Sequence, residues 1–572
     1  MARLAAAVMA VVLMAGGSEA MAENAAGRFD RPWQGFAPAS TMLRADSAES
    51  AGLDPGPLAE AERAIEAWTR PNPTRPLFAG AVTLSAHNGV IVSRSEAGQA
   101  VRYADASGTE LPAEQRVPMR PDTIFDLASV SKLFTSLAVL CLVEDGSVDV
   151  DAPVAGYLPE FAANGKDSVT VKQLLTHTSG LEPFIPLWRD WPDKASRIAA
   201  VLDRAPKYLP GSRYVYSDLN LITLGVLVER RSGKPLDTLV AERITGPLGL
   251  RDTGYNPSAA KLHRVAATEF QSSPPRGMVR GEAHDENAWS LGGVAGHAGV
   301  FSTADDLAVL AQAILNGGGY AGRRILRAET VREMLTNHTP QFPGNDHGLG
   351  FELNQRWYMG ALSGQRTAGH TGFTGTSLVI DPASRSFTIL LTNRVHPSRT
   401  WGSINLARER LASGLARAMA VCPRHGADAW ATGWADGTTS TLTSPQLVAT
   451  GSAQVTFDTF VDTESSDVLR LEWSSDGQTW QALPMRAAGR GAPPGQVDVL
   501  AGAGHRSWWT INADVPAAGQ FTVRWRASTD GRYLGRGFYV DRILVTDGDR
   551  PLLNGEKEPH LMTPDGWRPQ SC

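Results

Sequence analysis

Two strand-like stretches stand at opposite ends of one long region, and this separation constrains the fold more than any other feature. The first, "AGAVTLSAHNGVIVSRSEAG" from Ala79 to Gly98, reads as two strands around the turn "HNG". The second, "TSLVIDPASRSFTILLTNR" from Thr376 to Arg394, reads as two strands around "DPAS". A lone two-stranded hairpin is marginal in water, so each needs a larger sheet. Between them the periodicity turns helical. "SVTVKQLLTHTSGL" predicts a helix entering a glycine-containing loop. "DLNLITLGVLVERRSGK" and "STADDLAVLAQAILNGGG" predict helices that each stop at glycine. Ser302 or Thr303 caps the second of these, with Asp305 and Asp306 near its positive end. Strands at both ends with helices between predict an α+β fold whose first and last strands share one antiparallel sheet.

After Cys422 the texture changes. Stretches such as "SAQVTFDTFVD" and "QFTVRWRAST" alternate apolar and polar residues, and turn signals such as Asp476-Gly477 separate them. Eight of the 15 tryptophans fall here, at 430, 434, 473, 480, 508, 509, 525 and 567. Residues 423–572 are therefore expected to form a separate all-β sandwich. Its tryptophans read first as core, because large aromatics supply core burial. The alternative is that they are stacking platforms for a cell-wall or carbohydrate ligand.

The opening residues 1–22 read as a secretory signal: Arg3, an apolar core from Leu4 to Met14, then Ala20 and Ala22 with cleavage after Ala22. That core is short for a membrane-spanning helix. The chain is thus expected to be exported, periplasmic or secreted, and not membrane-spanning, with a strap over 23–44 and a main domain over 45–420. In an oxidising compartment Cys422 and Cys572 are candidates for a disulfide, since domain termini often lie close together. Cys141 falls on an apolar helix face and reads as buried and inert. A formal net charge of -5 gives no reason to expect a nucleic-acid partner.

The chemistry starts at "FDLASVSKLFTSLAVL", Phe125 to Leu140. Ser129 and Lys132, three apart, share one helix face. The apolar positions behind them, including Leu133, Phe134 and Leu137, predict a core helix. Burial there is expected to lower the pKa of Lys132 and let it act as a base. The helix N-terminus favours a serine alkoxide, and nucleophile beside base is the arrangement of covalent catalysis. A second Ser-x-x-Lys, Ser258 to Lys261, has no such helix behind it and reads as surface. In "PGSRYVYSDLN", Tyr216 and Asp218 lie two apart before a helix, and a nearby lysine is expected to lower the tyrosine pKa for proton relay. In "AGHTGFTGTSLVI", His370, Thr371 and Gly372 precede a strand. A backbone N–H there is suited to complete an oxyanion hole with that of Ser129.

Together, "SVSK", "YSD" and "HTG" resemble the three motifs of the class C β-lactamase and penicillin-binding-protein-like (DD-peptidase) serine hydrolases, a likeness that covers roughly residues 50–415. "LLTHTSGL" and "GVFSTADDLA" strengthen it. The resemblance implies a β-lactamase/transpeptidase-like sheet flanked by helices, with a helical subdomain and the active site between them. It implies Ser129 as nucleophile, Lys132 as base or relay and Tyr216 as acid/base partner. Thr371 and Gly372 would line the substrate strand, and the N–H groups of Ser129 and Phe373 would form the oxyanion hole. The substrate is then an ester or amide, either a small molecule or a peptide. Two departures bear on it. Asp218 replaces an amide residue and, when ionised, only accepts hydrogen bonds, which implies that it holds Lys132 charged. His370 replaces a lysine, which implies weaker attraction for a substrate carboxylate. Both argue against efficient β-lactam hydrolysis. His284, Asp285, Glu286 and His297 raise a metal site, but the helical His-x-x-x-His spacing is absent. No metal or cofactor is expected, and the stretch reads as a glycine-rich loop at the pocket rim. His177 reads as a loop-fixing residue.

Overall fold

The computed structural model describes residues 27–516, 518–532 and 535–572. The signal expected over 1–22 lies outside them. The chain divides into two compact units. One comprises Trp33–Ala45 and Ala59–Gly414, the other residues 27–32, Asp46–Leu58 and Leu415–Cys572. The segment read as one strap is thus shared between them.

The first unit is built on one sheet. Strands β1 (Arg44–Ala45), β2 (Gly80–His87), β3 (Val90–Val101), β4 (Glu352–Leu353), β5 (Ala368–Gly372), β6 (Thr376–Asp381) and β7 (Ser386–Thr392) lie in the order β1-β3-β2-β7-β6-β5-β4. The distant hairpins do meet: β7 pairs antiparallel with β2 from Ser386↔His87 to Thr392↔Ala81. Only the two-residue β1 departs from the expected antiparallel pattern, running parallel to β3. β2 and β7 are buried along their whole length, so runs such as "TILLT" need no polar alternation. Helix α1 (Ser131–Glu144) is buried from Ser131 to Leu142, a helix wrapped by core on every side. It packs against α2 (Asp218–Ser232), which ends at Gly233 with φ 68°. Helix α3 (Ala304–Leu315) lies against β2 and β7, its start capped by Thr303, whose hydroxyl accepts the Asp306 N–H at 3.3 Å. Cys141 of α1 is a buried free thiol whose pKa burial pushes up to about 12, which makes it inert.

From Ala429 onward the second unit is built of strands, with a 3-10 turn at Pro559–Leu561. One sheet includes β8 (Ala429–Thr432), β10 (Ala453–Asp462), β12 (Trp508–Val515) and β14 (Gly537–Asp547). The other includes β9 (Thr439–Thr443), β11 (Val468–Ser474) and β13 (Gly519–Ser528). Trp525 of β13 meets Phe457 of β10 edge-on at 5.5 Å, joining the two sheets through a common core. Trp509, Trp525 and Trp567 are buried, and the other five tryptophans are partly buried rather than exposed. Cys422 and Cys572 are disulfide-bonded.

Candidate active site

Ser129 sits in a short 3-10 turn, Ala128–Val130, that feeds into α1. Ala128 adopts φ 46°, a left-handed conformation that costs a residue with a Cβ. A set of buried bonds holds it there. The Ala128 N–H donates to Asp126 at 2.8 Å, and the other Asp126 oxygen accepts the His284 N–H at 2.6 Å. The Thr374 and Thr376 hydroxyls donate to the carbonyls of Asp126 (2.7 Å) and Leu127 (3.0 Å). The nucleophile turn is thereby fastened to the β5–β6 connection. Gly372 permits the approach: a Cβ there would lie 2.2 Å from the Leu127 carbonyl oxygen.

Lys132 Nζ donates to Ser129 Oγ at 3.0 Å and to the His297 carbonyl at 3.1 Å, and pairs with Asp218 Oδ1 at 2.8 Å. Two hydrogen-bond acceptors and a carboxylate counter-ion around Nζ describe an ammonium. Burial does pull the Lys132 pKa down, but Asp218 and Tyr216 outweigh it and the net shift is upward. Lys132 is therefore not a base made neutral by burial, as its apolar helix alone implied; its counter-ion decides. Asp218 holds it charged, as expected of an acceptor-only side chain. Tyr216 needs the same correction. Its ring centroid lies 4.8 Å from Nζ, yet burial raises the phenol to about 12 against the pull of Lys132, with Asp218 adding to the rise. It stands as a neutral proton donor.

His177 fixes the loop that carries Tyr216. Its Nδ1 accepts the Ser217 N–H at 3.1 Å, and its ring lies 4.7 Å from the Tyr216 ring. His370 is buried with Nδ1 2.8 Å from the Thr371 carbonyl, and burial followed by Lys132 pushes its pKa down to about 3. It is neutral, so it offers a substrate no positive charge. Ser129, Tyr216, His370, Thr371, Gly372 and Phe373 all line one cavity of about 320 Å³.

Six further residues of that cavity went unnoticed in the sequence: Ser403, Ile404 and Asn405, and the ionisable Glu352, Arg394 and Arg408. Arg408 donates to the Gly372 carbonyl at 2.7 Å and the Thr376 carbonyl at 3.2 Å, bracing the end of β5. The Arg394 guanidinium lies 5.0 Å from the Phe373 ring centroid, a cation at the cavity where His370 has none. Glu352 is pushed up to about 7 by burial, which outweighs the opposing pull of Tyr358, Arg408 and Lys132. Arg394 follows the "LLTN" end of β7 directly, a positional signal that only a known site geometry makes readable.

The suspected metal residues separate. His284 bonds Glu269 at 2.9 Å, and Glu286 pairs with Arg399. Asp285 and His297 join each other at 2.9 Å, with ligand atoms within 4.8 Å of those of Asp218. Asp218 is already ion-paired with the Lys132 ammonium, which supplies the positive charge of that cluster. The second Ser-x-x-Lys lies at the surface, with Lys261 paired to Asp252 at 3.0 Å.

Known proteins are similar to this chain over the residues that build the site. The family model described as Beta-lactamase matches residues 35–412. A putative D-alanyl-D-alanine carboxypeptidase of Escherichia coli (strain K12) is 36% identical over 341 residues, covering 54% of this chain and 76% of the relative. An N-acetylmuramyl-L-alanine amidase of Bacillus subtilis (strain 168) is 34% identical over 352 residues, covering 56% of this chain and 78% of that one. A penicillin-binding protein homolog of Caulobacter crescentus, solved by crystallography, is 26% identical with TM-score 0.49, over 63% of this chain and 98% of that chain. With a family model spanning well over half its length and a Ser-Lys-Tyr centre inside the matched residues, this chain belongs to the beta-lactamase family of serine hydrolases.

Proposed function

We propose that this hydrolase is exported and cleaves an ester or amide through a Ser129 acyl-enzyme, its preferred substrate being a cell-wall-type amide such as a D-amino-acid peptide. The observation that carries the proposal is Lys132 Nζ, donating to Ser129 Oγ at 3.0 Å while bound to Asp218 at 2.8 Å. Attack by Ser129 releases a proton. Lys132 passes its own proton to Asp218 and accepts that of Ser129, so charge moves without leaving the buried cluster. Tyr216, neutral at rest, protonates the leaving group, and the N–H groups of Ser129 and Phe373 receive the oxyanion. Arg394 is the cavity cation suited to a substrate carboxylate. Two relatives named for amide cleavage favour an amide over a small ester.

A β-lactamase or DD-carboxypeptidase proper, and a penicillin-recognising protein without turnover, are the competing readings. For the second unit, a wall or carbohydrate ligand finds support in a cavity of about 470 Å³ lined by Trp430, Asp428, Glu556 and His560. One substrate panel separates the enzymatic readings: short-chain esters, D-amino-acid peptides, muramyl peptides and a β-lactam, with active-site labelling of Ser129. Turnover of a muramyl amide, or of D-amino-acid peptides beyond those ending in D-alanyl-D-alanine, supports the proposal, whereas cleavage confined to D-alanyl-D-alanine ends favours a DD-carboxypeptidase proper. Rapid β-lactam hydrolysis lost in Ser129→Ala would overturn it, as would stable acylation by penicillin with no turnover of any substrate.

A further inference from the structure

At one end of the second unit, loops following β8, β10 and β13 converge. The Asp530 N–H donates to Asp467 Oδ1 at 2.8 Å, the Gly437 N–H donates to the Asp530 carbonyl, and the Thr438 N–H donates to Thr529 Oγ1 at 2.9 Å. Glu464, Asp467 and Asp530 each bring one carboxylate oxygen within 4.8 Å of the other two. Asp467 is 0% exposed, and its second oxygen, Oδ2, is buried with no hydrogen-bond partner. Among the described residues no lysine or arginine forms an ion pair with it. A buried carboxylate oxygen left unpaired is costly, and like charges alongside raise the cost. Something positive is called for at Asp467 Oδ2, where the described residues supply no cation.

We propose that Glu464, Asp467 and Asp530 form a Ca²⁺ site that ties the loops after β10 and β13 together. The donors are all carboxylate oxygens, which suits a hard cation and excludes the nitrogen and sulfur preferences of zinc or copper. Oxygens on opposite sides of Ca²⁺, at about 2.3–2.6 Å each, lie about 4.6–5.2 Å apart, so a single ion reaches all three. Loop-borne ligands of irregular geometry are tolerated by Ca²⁺ better than by Mg²⁺, which demands a near-octahedral shell.

The test is calorimetric titration of CaCl₂ into the full chain after dialysis against chelator, with thermal unfolding in parallel. One ion per chain with Kd at or below about 1 mM, and a higher unfolding midpoint in Ca²⁺, are expected. Asp467→Asn and Asp530→Asn should each weaken binding at least about tenfold. Absence of binding by the wild-type chain at millimolar Ca²⁺ overturns the proposal. So does unchanged affinity in both variants, or Mg²⁺ binding as tight as Ca²⁺. Should a variant fail to fold, the wild-type titration still decides. A wild-type midpoint indifferent to Ca²⁺ but raised by Asp467→Asn would point to a protonated carboxyl in place of a cation site.

Discussion

Asp218 and Lys132 lie 2.8 Å apart, and their proximity governs the pH behaviour of the site. The pKa of Lys132 is raised in the folded chain, above its ordinary 10.5. Its contribution to stability is therefore complete at neutral pH and is lost only as pH climbs beyond 10.5 toward the folded value. Asp218→Asn removes the counter-ion and leaves burial to act alone, so Lys132 should become easier to deprotonate. A pH–rate profile of this variant should gain an ionisation between about pH 6 and 9 that the wild type lacks. Its stability should fall toward the lower end of the about 3–5 kcal/mol typical of broken buried pairs, because Asp218 is 19% exposed. Ser129→Ala should lower kcat at least about 10³-fold and abolish any acyl adduct seen by mass spectrometry. Glu352 follows the same sign at lower pH. Its folded pKa of about 7 exceeds its ordinary 4.5, so the folded chain binds the extra proton. Stability then falls as pH rises from 4.5 to 7, by up to about 3 kcal/mol. Glu352→Gln should flatten that decline in urea unfolding measured at pH 5 and pH 8; an unchanged slope would count against a buried Glu352 proton.

Among the elements, the nucleophile turn is held by its neighbours rather than by its own preference. Asp126 accepts two buried N–H groups, from Ala128 and His284. Asp126→Ala strands both donors and should cost about 2–5 kcal/mol, with kcat falling more than KM rises because Ser129 is misplaced. Gly372→Ala would set a Cβ 2.1 Å from Thr376 Oγ1 and 2.2 Å from the Leu127 carbonyl. Activity should drop at least about 100-fold, in step with a lower melting temperature. The helices named from the sequence and the two hairpins were legible, down to a cap at Ser302 or Thr303, which falls on Thr303, and the Gly233 stop, because capping and periodicity are local properties; the helices Pro55–Ala67, Lys194–Leu202 and Asn405–Ala418 were not named. β4, only two residues long, was not: Glu352 and Leu353 carry no pattern, and pairing with β5 alone makes them a strand.

For the whole molecule, the Cys422–Cys572 bond closes a loop with a sequence separation of 150. Chain entropy assigns such a loop about 5 kcal/mol. A Cys422→Ser/Cys572→Ser double variant should therefore unfold at clearly lower urea in the tryptophan-rich second unit, and a midpoint unmoved by the variant or by reductant would refute that. The order of hydrophobic periods along the chain was enough to place a helix-covered sheet before an all-β unit, since each element's burial pattern is written in its own residues. The three motifs likewise located Ser129, Lys132 and Tyr216 without coordinates. The charge states of those residues were not legible, nor was the company of Glu352, Arg394 and Arg408. A pKa depends on which distant groups share a buried volume, and 2.8 Å between Lys132 and Asp218 reverses what the apolar helix alone would do. Folding brings together residues far apart in the chain, and electrostatics in a low-dielectric interior responds to that distance rather than to sequence spacing.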